Sequence, residues 1–228
     1  MSTKTIAVAI DGPAGAGKST IARRLAKNLN YIYVDTGALY RTVALSVMSS
    51  GVDPDNVAAV KAHIDTINVD ITYRGDEQRV LLNGNDVSEL IRTPEVSMMA
   101  SKTSAIPEVR AFLLGLQRKL ADEHNVVMDG RDIATVVLPE ARVKIFLTAS
   151  PEVRAKRRYD ELIQKGTDVK FEDVLSDLIQ RDEQDMNRAV APLKPSEQSV
   201  IVDTSDLDLE GAVKAMRTVI DNILSGEN

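Results

Sequence analysis

The chain has 228 residues, of which 43% are hydrophobic and 27% charged, a composition typical of a globular protein with one large core. Its net charge of -6 argues against a broad nucleic-acid-binding surface, because such surfaces rely on clustered lysine and arginine. With no cysteine and only two histidines, it has neither disulfides nor a metal centre built on those residues, whereas magnesium, which takes oxygen ligands, stays possible.

Five short apolar runs predict the strands of a parallel sheet. They are continuous, rich in valine and isoleucine, and separated by stretches of helical periodicity, as expected when helices cover both faces of a sheet. The runs are residues 6–10, 31–34, 126–128, 143–147 and 200–202. The sequence therefore predicts a doubly wound α/β fold with a five-stranded parallel sheet.

Acidic residues follow four of the five runs: Asp11, Asp35, Asp129 and Asp203. In an open parallel sheet the ligand crevice lies outside the carboxyl ends of the strands. We therefore expect the functional site near these acids.

Residues 68–88 break the alternation of strands and helices. Their hydrophobic period is two, and a Gly75-Asp76 turn separates the two halves, which predicts a β-hairpin. We place an inserted subdomain at residues 63–103, within a core formed by residues 1–62 and 104–228. Further helices are predicted at residues 107–123, 151–165, 171–188 and 209–224.

A phosphate-binding loop follows the first strand. Gly12, Gly17, Lys18 and Ser19 match G-x-x-x-x-G-K-[ST], in which backbone N–H groups surround the phosphates and the lysine reaches the outer ones. The predicted ATP-binding residues are Gly12, Pro13, Ala14, Gly15, Ala16, Gly17, Lys18, Ser19 and Thr20. Ser19 would hold Mg²⁺ together with ATP, and Asp129, at a strand end, is the second predicted metal ligand.

Other nucleotide-binding classes fit this loop less well. Its spacing is not the G-x-G-x-x-G of a dinucleotide fold, and the Lys18-Ser19 pair serves a terminal phosphate that a nicotinamide cofactor lacks. A GTPase would carry N-K-x-D, which is absent. A switch that hydrolyses a nucleotide slowly stays open as an alternative.

Arginines recur at helical spacing in the second half of the chain. Arg181, Asp185 and Arg188 fall on one helix face, and Arg154, Arg157 and Arg158 on another. Each set could be a solvated, salt-bridged face. Alternatively, residues 151–166 form a helical lid that closes on the phosphates and excludes water.

Three motifs together resemble bacterial cytidylate kinases over nearly the whole chain. They are Asp35-Thr36-Gly37-Ala38-Leu39-Tyr40-Arg41, Asp129-Gly130-Arg131-Asp132, and the segment from Arg181 to Leu193 that carries Asp185, Arg188 and Pro192. The hairpin insertion, which would bind the nucleoside monophosphate, is also typical of that family. Two positions depart: Thr36 stands where Ser is common, and Ala134 stands where Gly is expected.

The resemblance implies the roles of the acceptor site. Arg41, Arg131 and Arg188 would hold the monophosphate, Ser101, Arg110 and Asp132 would read cytosine, and Thr36, Arg181 and Asp185 would serve the sugar or phosphate. The predicted CMP-binding residues are Asp35, Thr36, Tyr40, Arg41, Ser101, Arg110, Arg131, Asp132, Arg181, Asp185 and Arg188. A carboxylate at Asp132 accepts from the cytosine amino group and should favour CMP over UMP.

The resulting hypothesis is in-line transfer of the γ-phosphoryl group of ATP to CMP or dCMP. The residues expected to stabilise the transferring charge are Lys18, Arg131, Arg188, Arg157 and Arg158. A kinase for AMP, dTMP or a sugar acid is the nearest alternative. No apolar run approaches the length of a membrane span and no signal-like segment is seen, so we expect a cytoplasmic protein that binds nucleotides but neither nucleic acid nor membrane. Because no long exposed apolar stripe is evident, we expect a monomer.

Overall fold

The computed structural model describes residues 5–75 and 77–226, so Asp76 of the predicted hairpin turn lies outside the described residues. In chain order, the elements are β1 (Ala7–Asp11), α1 (Lys18–Leu29), β2 (Ile32–Asp35), α2 (Thr36–Ser50), α3 (Val57–Ile64), β3 (Val69–Arg74), β4 (Glu77–Leu82), β5 (Asn85–Asp86), α4 (Pro94–Thr103), α5 (Pro107–Glu123), β6 (Val126–Gly130), β7 (Val143–Thr148), α6 (Pro151–Gln164), α7 (Phe171–Asn187), β8 (Val200–Asp203) and α8 (Leu209–Ser225). A 3₁₀ turn at Leu90–Arg92 and a π-helical turn at Ile133–Val137 complete the chain.

The five predicted strands form one parallel sheet in the order β2-β6-β1-β7-β8. Strand pairing continues one or two residues past each of the five apolar runs, as far as Asp11 opposite Gly130, Asp35 opposite Asp129 and Thr148 opposite Asp203. Because the acids stand at the strand ends, their side chains reach the edge where the loops begin. The prediction of a doubly wound parallel sheet is confirmed.

Helices cover both faces of this sheet, which explains why its strands are continuously apolar. On one face Val8 and Ile10 pack with Leu25 of α1 and with Met216 and Ile220 of α8. On the other face the alternate strand residues pack against α5 and the π-helical turn; they include Ala9, Val34 and Met128.

The predicted hairpin is confirmed. Strands β3 and β4 pair antiparallel from Val69 opposite Leu82 to Arg74 opposite Glu77. A third strand, β5, was not predicted, because two residues are too few to show alternation. The apolar side of this small sheet packs on α2, where Val80 and Leu39 belong to one buried cluster. The subdomain boundaries at residues 63 and 103 stay a prediction.

The predicted helices agree with the structure to within one residue. Helix α5 begins and ends as predicted, and α6, α7 and α8 shift by one residue at the carboxyl end. Local signals account for the starts: Ser150 caps α6 by accepting from the Val153 N–H, and Pro151 occupies the first turn. Within residues 5–75 and 77–226, no helix has the length and apolar character needed to cross a bilayer.

Candidate functional site

A crevice of about 420 Å³ lies at the carboxyl ends of β2 and β6, beside the loop that follows β1. Its walls come from that loop and from α2, α4, α5, α6 and α7. A larger cleft of about 600 Å³ lies beside Thr5, Ile6 and Ala7, where the sheet begins, and none of the predicted site residues line it. The crevice is therefore the candidate site, as the strand-end acids predicted.

The loop between β1 and α1 has a backbone that only glycine permits at its first position. Gly12 has φ +152°, and a Cβ there would lie 2.0 Å from the backbone oxygen of Leu147. Gly17, at the start of α1, adopts the left-handed region with φ +83°. The glycine spacing thus fixes how the loop curls over the N-terminus of α1, where the helix dipole favours an anion.

Lys18 is buried at the base of this loop. Its Nζ donates to the carbonyl oxygens of Gly12 and Pro13, each at 2.7 Å. Burial and, to a lesser extent, the nearby charge of Arg131 lower the pKa of Lys18 to about 7, although Asp129 and Asp11 act in the raising direction. A bound phosphate would supply the negative charge that favours the ammonium form.

A hydroxyl and a carboxylate meet where the loop motif and the strand-end position of Asp129 predict a metal. The Ser19 hydroxyl donates to Oδ2 of Asp129 at 3.0 Å, and the Tyr33 hydroxyl donates to Oδ1 of the same carboxylate at 2.9 Å. Burial, with Asp35 close by, raises the pKa of Asp129 to about 6. A hydroxyl and a carboxylate this close fit Mg²⁺, which binds through one or two carboxylates together with substrate phosphates.

Asp11 links the phosphate loop to the segment after β6. Its two carboxylate oxygens accept from the backbone N–H groups of Ile133 and Ala134 at 2.7 and 2.8 Å. Burial raises the pKa of Asp11 from 3.8 to about 6, although these two hydrogen bonds act in the lowering direction. The hydrogen bond to Asp11 uses the backbone N–H of residue 134 and not its side chain. Alanine can therefore make this bond where the resemblance predicted glycine.

The start of α2 carries the first of the residues predicted for the acceptor side. Asp35 caps the helix by accepting from the Ala38 N–H at 2.9 Å and also pairs with Arg41 at 3.1 Å. The Thr36 hydroxyl donates to the backbone oxygen of Asp129 at 2.8 Å. A hydroxyl at position 36 is therefore a structural link between β6 and α2, which Ser or Thr can supply.

The far end of the crevice is a cluster of buried ion pairs around Asp132. Its carboxylate accepts from Arg110 and, at 3.4 Å, from Nη2 of Arg188. The guanidinium of Arg110 also lies 5.5 Å from the ring centroid of Tyr40. A carboxylate held by two arginines beside an aromatic ring is suited to bind a flat, polar base.

Between the loop and that cluster the crevice is strongly cationic. Arg131 pairs with Asp185 at 2.8 Å, and Arg181 lies nearby. Burial lowers the pKa of Arg181, and the charges of Arg131, Arg158 and Arg41 add to the lowering despite the opposing effect of Asp185. Cations crowded together in this way form a site for a phosphate anion.

The two predicted lid arginines have different surroundings. Arg158 lines the crevice and pairs with Glu161 at 2.8 Å. Arg157 lies on the other side of α6, where its Nη2 donates to the backbone oxygens of Thr204 at 2.7 Å and Leu207 at 3.3 Å. Its predicted role in the transfer stays a prediction that this geometry does not support.

Most predicted site residues meet in the crevice. Gly12 and Pro13 are buried beneath it and do not line it, and Asp203, on the edge strand, accepts from Ser205 instead. Ser101 of α4 reaches Gln184 of α7 at 3.4 Å, which connects the two walls. Arg157 does not line it either, and the other predicted residues do: Ala14, Gly15, Ala16, Gly17, Lys18, Ser19, Thr20, Asp35, Thr36, Tyr40, Arg41, Ser101, Arg110, Asp129, Arg131, Asp132, Arg158, Arg181, Asp185 and Arg188.

Sequence reasoning missed several residues that hold the site together. Tyr33 looked like an ordinary strand residue, although it orients Asp129. Arg154 was seen only as part of a basic helix face and Asp182 only as part of a motif, yet both contact the phosphate loop. No local signal could have found these contacts, because the partners are more than 90 residues apart in the chain.

Comparisons with known proteins agree with this geometry. The family model described as cytidylate kinase matches residues 8–222. A cytidylate kinase from Carboxydothermus hydrogenoformans is 48% identical over 213 residues, which cover 93% of this chain and 96% of that protein. One from Caldanaerobacter subterraneus subsp. tengcongensis is 47% identical, covering 98% of each chain, and one from Clostridium botulinum is 45% identical, covering 94% and 97%.

Among solved structures, an uncharacterized protein from Eubacterium ventriosum superposes with a TM-score of 0.55 at 16% identity, covering 96% of this chain and 99% of its own. That likeness concerns the fold alone. The sequence comparisons extend over nearly the full length, and the chain therefore belongs to the cytidylate kinase family.

Proposed function

We propose that this member of the cytidylate kinase family transfers the γ-phosphoryl group of ATP to the 5′-phosphate of CMP or dCMP. The observation that carries the proposal is that one crevice joins a phosphate loop for the donor to an arginine-rich acceptor site that ends in Asp132. The names of the relatives support the same acceptor.

The donor half would hold the triphosphate through the backbone N–H groups of the loop and Lys18. Lys18 already lies beneath the loop and would exchange its bonds to Gly12 and Pro13 for the outer phosphate oxygens. Its ammonium group then offsets the negative charge on the transferring group.

The acceptor half would hold CMP between charged side chains and Asp132. Arg41, Arg131, Arg181 and Arg188 would bind the monophosphate, as the crowding of positive charge around Arg181 supports. Asp132 would accept from the cytosine amino group, where uracil would present an oxygen and leave the carboxylate unsatisfied. Ser101 and Arg110 would complete the base-reading wall.

Magnesium would be held by Ser19 and Asp129, with Tyr33 and Thr36 orienting the Asp129 residue. Among residues 5–75 and 77–226 there is no group of three histidine, cysteine or acidic side chains arranged to hold a metal, so phosphate oxygens would supply the other ligands. The bound ion would neutralise charge on the outer phosphates of ATP.

No general base is needed, because the acceptor phosphate is already anionic near neutral pH. The work of this chain is to align the two phosphates and to stabilise the developing charge with Lys18, Arg131, Arg188 and Arg158. That the chain acts as a cytoplasmic monomer stays a prediction.

A coupled assay of ADP release over a panel of monophosphates tests the proposal. With ATP and Mg²⁺, we expect CMP and dCMP to turn over fastest, with UMP, AMP and dTMP far slower. Fast turnover with AMP or dTMP but not CMP would contradict the proposed acceptor. Nucleotide binding without any acceptor-dependent turnover would instead favour a switch.

A further inference from the structure

One residue of the phosphate loop, Ala14, is held through both of its backbone polar groups by α6, the predicted lid helix, and by α7. The Ala14 N–H donates to Oδ1 of Asp182 at 3.2 Å, and the Ala14 carbonyl accepts from Nη1 of Arg154 at 2.9 Å. The same Nη1 donates to Oδ2 of Asp182 at 2.5 Å. Ala14, Arg154 and Asp182 thus form a closed ring of hydrogen bonds that joins the loop to α6 and α7.

This ring is shielded from water. Arg154 is 4% exposed and Asp182 is 7% exposed, and Arg154 is also fixed by a bond from Nε to the carbonyl of Ala149 at 2.9 Å. A buried ion pair is by itself weak evidence for stabilisation, because its desolvation cost can match its Coulombic gain. What distinguishes this pair is that each partner also bonds a backbone group of the same loop residue, Ala14.

Apolar side chains of α6 and α7 also pack against the loop at Ala14 and Gly15. Ala14 belongs to a buried cluster with Ala155, Val174 and Leu178. At the next position, a Cβ on Gly15 would lie 3.2 Å from both the Cβ of Arg154 and the Cδ1 of Leu178. The loop and the helices are therefore in close contact, and α6 and α7 hold the two peptide units on either side of the Ala14 Cα.

The ring also determines which loop groups face the donor. Carbonyls of the first three loop residues are all engaged, those of Gly12 and Pro13 by Lys18 and that of Ala14 by Arg154. Carbonyl oxygens turned toward a triphosphate would repel it, whereas backbone N–H groups attract it. Holding the Ala14 carbonyl on Arg154 orders the half of the loop that precedes the phosphate-facing N–H groups.

We propose that Asp182 is a positioning residue for ATP: by holding the Ala14 N–H and the Arg154 guanidinium together, it keeps the phosphate loop in its binding shape. The inference rests on the proposed function for the identity of the donor. It assigns Asp182 to the donor side, although its neighbours Arg181 and Asp185 line the acceptor crevice.

The test is Asp182→Asn, assayed for direct binding of ATP and of CMP by calorimetry and for steady-state kinetics. One amide oxygen cannot replace two carboxylate oxygens, and the amide NH₂ would face a donor. We expect the Kd and the KM for ATP to rise about tenfold, the scale of one charge-assisted hydrogen bond, with less than about twofold change for CMP. Asp177→Asn, on an exposed position of the same helix, is the matched control and should behave as wild type.

A structural role alone predicts a different pattern. If Asp182→Asn lowers the melting temperature but leaves the Kd for ATP within twofold of wild type, or weakens ATP and CMP equally, the inference is overturned. If Asp182→Asn fails to fold, Arg154→Met combined with Asp182→Leu keeps the volume without buried charge. That double variant should fold and still bind ATP about tenfold more weakly, and wild-type ATP affinity in it would also overturn the inference.

The two proposals can fail separately. Binding of ATP needs no acceptor, so the comparison of Asp182→Asn with wild type stands even if no monophosphate accepts the phosphoryl group. Absence of CMP turnover in the wild type would contradict the proposed function only.

Discussion

The donor and acceptor halves of the crevice are built in opposite ways. The donor half is a continuous loop from Gly12 to Ser19, in which Lys18 contacts carbonyls five and six residues away. The acceptor half joins side chains distant in sequence, with Arg110 and Asp132 separated by 22 residues and Arg131 and Asp185 by 54. The donor half is thus a local motif that the fold supports, whereas the acceptor half exists only once the chain has folded.

The two halves also hold their cations differently. Lys18 is paired with neutral backbone oxygens, which a triphosphate can replace at little electrostatic cost. The acceptor arginines are paired with carboxylates that stay in place, so Asp132 and Asp185 fix the directions in which Arg188 and Arg131 point. Substitutions in the donor half should therefore lower activity equally with every acceptor nucleotide. Substitutions in the acceptor half should lower activity by an amount that depends on the base of the acceptor.

The largest effect is expected from Lys18→Met. Removal of the ammonium group should lower kcat/KM about 1000-fold, the scale of a lost charge-stabilising group at the transferring phosphate. Parallel assays with CMP and dCMP should show equal losses, because Lys18 serves the donor. The control Lys214→Met lies on an exposed part of α8 and should match wild type. A loss below tenfold would contradict the donor role.

Asp11 joins the phosphate loop to the segment after β6, and its contribution to stability can be tested by varying the pH. Its pKa is raised to about 6 by burial, so the folded protein keeps a proton that the unfolded chain loses near pH 4. As pH rises from about 4 to 7, the contribution of Asp11 to the free energy of unfolding should fall by about 3 kcal/mol. Stability is thus favoured at the acidic end of this window.

Urea unfolding of wild type and Asp11→Asn at a series of pH values gives the free energy of unfolding of each protein. The difference between the two free energies measures the contribution of Asp11. The difference, wild type minus variant, should decrease with rising pH. Asp206→Asn, at an exposed site, should give a flat difference. A difference for Asp11 that is flat or increases would show that its carboxyl is ionised as easily in the fold as in the unfolded chain.

Asp132→Asn probes the base-reading end. An amide can donate to the uracil oxygen but offers cytosine a poorer acceptor, so kcat/KM for CMP should fall about 10- to 100-fold relative to UMP. The measurement is kcat/KM for CMP divided by kcat/KM for UMP, and this ratio should be smaller in the variant than in wild type. Asp122→Asn on the exposed side of α5 is the control. An unchanged ratio would remove Asp132 from base selection.

The smallest effects on turnover are expected from the two predicted lid arginines, which should differ from each other. Arg158→Ala should lower kcat about tenfold, because a partly exposed charge at the crevice is lost. Arg157→Ala should leave kcat within about twofold and lower the free energy of unfolding by about 1 kcal/mol through its lost hydrogen bonds. Turnover and urea unfolding of both variants decide this. Equal losses of turnover would mean that Arg157 enters the crevice when substrates bind.

The difference between the halves explains how much could be predicted from the sequence. The strands and the donor loop follow from local patterns, since apolar runs and the spacing of Gly12, Gly17 and Lys18 need no distant partner. Arg110 carries no local signal and entered the prediction only through family resemblance. Asp182 was missed as a donor-side residue because its partner Ala14 is 168 residues away.

Helix α7 carries contacts to both halves within two turns. Asp182 holds Ala14 of the donor loop, and three residues later Asp185 holds Arg131 on the acceptor side. Residues 182 and 185 lie about 4.5 Å apart along the helix axis, less than one turn. A shift of α7 would therefore move a contact of the donor loop and a contact of the acceptor arginines together.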